Sequence, residues 1–139
     1  MLIDPTTKFG AHVLQRLRDE KAIWLTAVDA DGVPQPNPVW FVWEDDAFLI
    51  YTQPKARRLR HIARNPNVAL HFDGGEDGED VAAFTGEARI DPDAPPANKH
   101  AAYSEKYRKG IPAINMTPES FARIYSVALR VRPVKLRGW

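Results

Sequence analysis

Residues 51–66, YTQPKARRLRHIARNP, gather Lys55, Arg57, Arg58, Arg60 and Arg64 around His61 with no carboxylate among them. The whole chain of 139 residues carries 19 basic and 18 acidic side chains, a net charge of +1. Positive charge is therefore concentrated at one place rather than spread over the molecule, and the chemistry it suits is anion capture. Arginine grips two phosphate oxygens at once, and Thr52 adds a hydroxyl donor just upstream. Pro54 suits the first position of a helix that would run to about Asn65, where Pro66 stops it. Lys55, Arg57 and Arg58 then fall in the first turn, where free amides and the positive end of the helix dipole already favour an anion. Cations there are unfavourable by about 0.3–1 kcal/mol each at an exposed site, a cost that a bound phosphate offsets. A run of charge is by default a solvated face. Its place at a helix start favours a phosphate clamp, with Arg57 and Arg58 both expected to be exposed. The GxxxxGK[ST] pattern of a P-loop is absent.

Other chemistries find less support. The four histidines, His12, His61, His71 and His100, show no metal spacing such as HExxH, so no metal site is expected. No convincing acid–base pair or nucleophile constellation stands out, which counts against a hydrolase but not against an enzyme whose cofactor carries the reaction. With no cysteine there is no disulfide or thiolate chemistry, and a reducing cytoplasm is the expected setting. The N-terminal MLIDPTTKFGAHVLQ lacks a basic region followed by an apolar core, so no secretory leader is expected. No apolar run approaches the ~20 residues that cross a bilayer. Nucleic-acid binding through the basic helix competes weakly, because the total charge is near neutral and the basic segment is short and single.

Positioning such a clamp requires a scaffold. The spacing of Phe9, Val13, Leu14 and Leu17 predicts a helix that starts near Asp4–Thr7 and ends near Lys21. AIWLTAVD (22–29) reads as a strand, turned by Asp31-Gly32. Pro34, Pro36 and Pro38 alternate, so 34–38 reads as an extended segment with few donors, becoming a firm strand from Val39 to Trp43. The acidic turn at 44–46 returns the chain as AFLIYT (47–52). VALHFD (68–73) and VAAFTGEARI (81–90) read as a hairpin around the acidic, glycine-rich loop 74–80, with a bulge expected at Gly86. Helices are expected over 97–109 and from Thr117-Pro118-Glu119 through Ile124, followed by a last strand over 127–136. The total is about six hairpin-joined strands in a mainly β, α+β domain spanning 1–139, with the sheet curled into a closed or half-closed antiparallel barrel.

The order of a strand, PQPNPVWF, an acidic turn and FLIYTQPKARRLRHIARNPNVALHF resembles the flavin-binding split β-barrel family of pyridoxamine 5'-phosphate oxidase and its deazaflavin-dependent relatives. The specific part is YT…R…IAxNPxVAL. The resemblance covers residues 8–91 well and the C-terminal strand loosely. It implies a homodimer with a cofactor in a groove between subunits. It implies that Thr52, Lys55, Arg57 and Arg58 hold the cofactor phosphate. Asn37, Pro38 and Val39 would lie along the ring system, and Arg137 and Trp139 would approach the ring from the other subunit. The chain is much shorter than pyridoxamine 5'-phosphate oxidase itself, and that enzyme's substrate-phosphate residues have no counterparts that can be placed. It looks more like the branch using the deazaflavin coenzyme F420, whose acidic tail Arg60 and Arg64 could accompany. The expected activity is hydride transfer to a small unsaturated or quinone-like acceptor. FMN is the alternative cofactor, and a non-catalytic flavin or haem carrier the alternative role.

Overall fold

A computed structural model describes residues 2–139. Helix α1 (Lys8–Asp19) is capped by the Thr7 side chain, which accepts the Gly10 amide, and buries Val13 and Leu17. Strands β1 (Ile23–Val28), β2 (Pro34–Val39), β3 (Val42–Glu44) and β4 (Ala47–Thr52) follow. Helix α2 (Arg57–Arg64) leads into β5 (Asn67–His71) and β6 (Ala82–Ile90). A single 3-10 turn (Ala97–Lys99) precedes three short helices, α3 (Ala101–Lys106), α4 (Gly110–Ala113) and α5 (Pro118–Ile124), and β7 (Val127–Gly138) ends the chain.

The seven strands form one antiparallel sheet in the order β2-β1-β5-β6-β7-β4-β3. Its edges, β2 and β3, are consecutive in sequence and separated only by Trp40 and Phe41. So short a connection spans roughly 10 Å at most, so the sheet must curl until its two ends are neighbours. They do not pair, and the result is a half-barrel. The prolines give the reason. With Pro34, Pro36 and Pro38 in β2, only Gln35, Asn37 and Val39 retain a main-chain donor, and β2 must use these in its ladder with β1. Nothing then remains on that strand to donate across the gap to β3.

This corrects three expectations. The sheet has seven strands rather than six, because the expected strand from Val39 to Trp43 is broken at Trp40–Phe41 and divided between the two edges. Helix α2 begins at Arg57, not Pro54: residues 53–56 form a turn closed by the Ala56 amide on the Gln53 carbonyl at 3.1 Å, and Ala56 is the cap. The helix expected over 97–109 is a 3-10 turn followed by α3 and α4. Elsewhere the pattern holds: β4 occupies 47–52, α5 starts at Pro118, and the β6–β7 register shifts between Thr85 and Gly86, the expected bulge. No helix among the described residues is long and apolar enough to cross a membrane, and none of their His, Cys, Asp and Glu side chains group as three potential metal ligands.

Two apolar clusters meet across β4, which explains why all six of its residues are buried. Phe48 and Ile50 face the barrel interior with Phe41, Phe84, Leu70 and Leu129. Leu49 and Tyr51 face outward beneath α3–α5, packed with Tyr103, Tyr107, Ile111 and Phe121. The broken segment is stitched by Tyr107. Its hydroxyl accepts the Phe41 amide at 2.7 Å and lies 2.7 Å from the Lys21 carbonyl and 2.9 Å from the Phe41 carbonyl, either of which can take its proton.

A charged network fastens the helical layer to the sheet. Glu44, at the end of β3, accepts from Arg130 at 2.9 Å and from His100 Nε2 at 2.8 Å, and Arg130 also reaches Asp91 at 3.0 Å. His100 Nδ1 accepts the Tyr103 amide at 3.1 Å and so caps α3. Burial alone pushes the Glu44 carboxyl up, but hydrogen bonds from Arg130 and His100 outweigh it and hold the carboxyl below its usual range. Asp91 is also held low, first by the Asp93 amide and then by Arg130. Carboxylates with lowered folded values contribute stability that is fully present above their unfolded values, roughly 4, and is lost as pH falls through the lower folded values. Thermal melts should therefore show Tm falling below about pH 4. Glu44→Gln should flatten part of that fall, and an unchanged acid limb would show that the network contributes nothing to stability.

Candidate functional site

A cleft of about 550 Å³ lies between the end of β2, the end of β4 with the start of α2, and the helical layer α3–α5. One wall is the end of β2 and the break, Pro38, Val39 and Trp40. The other end is cationic. It is formed by Thr52 at the end of β4, Lys55 in the following turn and Arg58 in the first turn of α2. Helix α2 lies there because Ile62 packs into the barrel interior, with Leu59 against the same cluster. That orientation points the helix N-terminus at the cleft and leaves Arg57, Arg60 and Arg64 exposed.

Arg58 is the distinctive residue. It is half-buried, and its guanidinium donates to Thr52 Oγ1 at 3.2 Å. Burial pulls its pKa below the ordinary arginine value, partly offset by Tyr125, so the charge is retained at a desolvation cost. No carboxylate lies within 4.0 Å of Lys55, Arg57, Arg58, Arg60 or Arg64, since every ion pair among the described residues involves other cations. The cap residue is Ala56, which offers no side-chain acceptor to the first amides of α2. A half-buried cation, an ammonium, a hydroxyl and uncapped helix amides converge on a place with no protein anion. This is the donor set a phosphate requires.

The structure brings five of the sequence-predicted residues to the cleft: Pro38, Val39, Thr52, Lys55 and Arg58. Asn37 is exposed beside them on β2, outside the walls. Arg57 and Arg60 are exposed on α2 and also outside the walls. The expectation that Arg57 and Arg58 are alike in exposure is thus corrected: they are adjacent on a helix and so diverge by about 100°, and only Arg58 turns inward. Arg137 and Trp139 lie at the far end of β7. That strand pairs Val127 with Thr52, and ten residues later Arg137 pairs with Ala83, roughly 30 Å along the strand. Trp139 is exposed there, its indole N–H donating to the Gly78 carbonyl at 2.9 Å. One chain therefore does not carry Arg137 or Trp139 to its own cleft.

The residues that sequence reasoning passed over are aromatic. Trp40, Tyr51, Tyr103, Phe121 and Tyr125 also line the cleft. The Trp40 ring stacks on Tyr107 (centroids 4.5 Å, planes 5° apart) and near Phe121 (5.7 Å, 16°). The sequence signal for them is slight: Tyr103 and Tyr107 are four apart, and such spacing does not tell which rings of other elements they meet. Phosphate donors and aromatic side chains in one cleft suit a planar ring carrying an anionic side chain.

Residues 9–139 match the family described as pyridoxamine 5'-phosphate oxidase. The pyridoxine/pyridoxamine 5'-phosphate oxidase of Vibrio parahaemolyticus is 31% identical over 74 residues, which are 50% of this chain and 35% of that protein. The match thus spans about a third of the curated relative's length. Among solved structures, an F420 reductase superposes with a TM-score of 0.69 at 24% identity, covering 88% of this chain and 94% of its own. The heme storage protein HutZ of Vibrio cholerae superposes with a TM-score of 0.63 at 16% identity, covering 99% and 95%. At these identities the two structures establish the fold.

Proposed function

The chain belongs to the pyridoxamine 5'-phosphate oxidase family, and from that membership we propose that it is an oxidoreductase using the deazaflavin coenzyme F420 on a small unsaturated or quinone-like acceptor. The observation that carries the reading is Arg58: a half-buried guanidinium with no carboxylate partner, bonded to Thr52 at the mouth of a cleft lined by aromatic rings. Thr52, Lys55, Arg58 and the first amides of α2 hold the coenzyme phosphate. The main chain of Pro38 and Val39 lies along the ring, beside Asn37. Arg57, Arg60 and Arg64, exposed and free of acidic partners, continue the positive surface along α2 and accompany the acidic tail. That surplus of cations beyond one phosphate is what favours F420 over FMN, the alternative.

When bound in its reduced form, the coenzyme supplies the hydride that the acceptor gains together with a proton. The chain itself binds, orients and excludes water, as the apolar walls of Trp40, Tyr51 and Phe121 allow. A second copy of the chain completes the groove, bringing its Arg137 and Trp139 to the ring.

A fluorescence titration of the purified protein with F420, in parallel with FMN, tests the reading. Saturable F420 binding, tighter than FMN, is the expected result. Tighter FMN binding would move the protein to the FMN branch and leave Arg60 and Arg64 as surface charge. Binding of neither overturns the proposal.

A further inference from the structure

Three tyrosines meet beneath the cleft, and their hydroxyls differ in one respect. The Tyr107 hydroxyl is engaged by the Phe41 amide and by carbonyls of Lys21 and Phe41. The Tyr51 hydroxyl donates to the Pro95 carbonyl at 2.6 Å. The Tyr103 hydroxyl, on a side chain with 0% exposure, has no partner at all. Burial pushes this phenol far above its ordinary pKa, so it stays protonated and is a permanent donor. An unpaired buried hydroxyl destabilises the fold, and a phenylalanine would fill the same ring space without that cost. The ring itself is fixed edge-on to Tyr51 at 4.8 Å and tilted against Tyr107 at 4.7 Å. His100, which caps α3 through the Tyr103 amide and is tied to Glu44, sets its backbone. Tyr103 lines the same cleft as Trp40, Tyr51, Phe121 and Arg58.

The geometry points to Tyr103 as the residue that selects the acceptor: its hydroxyl donates a hydrogen bond to the ring carbonyl of a planar, quinone-class molecule held in the cleft beside Trp40, Tyr51 and Phe121. This rests on the oxidoreductase reading for its biological sense, but the binding it asserts is independent of any cofactor. A site holding an idle buried donor discriminates for ligands that can accept its proton and against those that cannot.

The test uses the full chain without cofactor and two probes of matched shape, menadione, which carries ring carbonyls, and 2-methylnaphthalene, which carries none. Equilibrium binding is followed by quenching of tryptophan fluorescence, in wild type and in Tyr103→Phe. Wild type should prefer menadione, and Tyr103→Phe should lose roughly tenfold in menadione affinity while binding 2-methylnaphthalene as before. The ligand-free variant should also melt roughly 3–6 °C higher, because an unpaired buried hydroxyl has been removed. A structural hydrogen bond would give the opposite sign, so a lower Tm overturns the proposal. So does equal loss of both probes, an unchanged menadione affinity, or no menadione binding to wild type. F420 titration of the same variant separates the two readings. A Tyr103-dependent menadione preference in a protein that binds neither F420 nor FMN leaves this inference standing and removes the cofactor reading. Tight F420 binding without that preference does the reverse.

Discussion

Arg58→Ala is expected to weaken cofactor binding by about 10- to 150-fold, the loss of one charge-assisted contact of roughly 1.5–3 kcal/mol. Arg57→Ala, one residue away, should change it by less than about threefold, the effect of a solvated charge at the rim. The difference follows from the helix. Arg57 is exposed, whereas Arg58 turns towards Thr52 and is half-buried. Arg58→Lys should fall between, since a lysine keeps the charge but cannot grip two oxygens in one plane. The ligand-free Tm should not fall in Arg58→Ala, because the guanidinium meets no carboxylate and its burial is itself unfavourable. Titration of the three variants with F420 and FMN, with melts in parallel, checks all of this. Equal losses in Arg57→Ala and Arg58→Ala would place the phosphate along the outer face of α2 instead of in the cleft.

Gly86→Ala is expected to destabilise the fold by about 3 kcal/mol or more, beyond the usual range for one added methyl group. A Cβ at this position would sit 2.2 Å from the Arg132 carbonyl oxygen and 2.7 Å from the Pro133 Cα. Both are main-chain atoms of the neighbouring strand, so no side-chain rotation relieves the overlap. The bulge lies in the longest pairing of the sheet, β6 with β7, where it lets Thr85 oppose Lys135 and Gly86 oppose Pro133. Losing the close approach forces that register to reopen between the barrel core and the C-terminal end of β7. Urea unfolding measures the effect as a lower midpoint at unchanged slope. A shift corresponding to less than about 1 kcal/mol would mean that the strand yields easily there.

Much of the scaffold was legible because its signals are local. Thr7 before an apolar 3.6 period, the run AFLIYT, Pro118 after Thr117 and Gly86 within a strand each act on near neighbours, and each structure appears where the pattern predicts it. The misplacements have a common origin. The segment from Val39 to Trp43 is continuous in β propensity, but it must serve both edges of a curled sheet, so Trp40 and Phe41 leave the strand and Tyr107 satisfies the Phe41 amide. The turn at 53–56 delays α2 by three residues, and the packing of Ile62 and Leu59 on the core decides that Arg58, not Arg57, turns towards the cleft.

By itself the sequence determined the chemistry available: an excess of cations beside Thr52 with no acid in the same segment, an order of strands and turns that resembles one family, and no cysteine or metal spacing. Clustering along the chain is enough for that, since charge and donors add up wherever the backbone goes. The tertiary structure decided which of those groups lose water. Curling the sheet left its proline-bearing edge unpaired, turned Arg58 but not Arg57 into the gap, and brought Trp40, Tyr51, Tyr103, Phe121 and Tyr125 from four separate segments to one cleft. Desolvation and convergence depend on contacts between residues distant in the chain, and no local pattern in the sequence carries them.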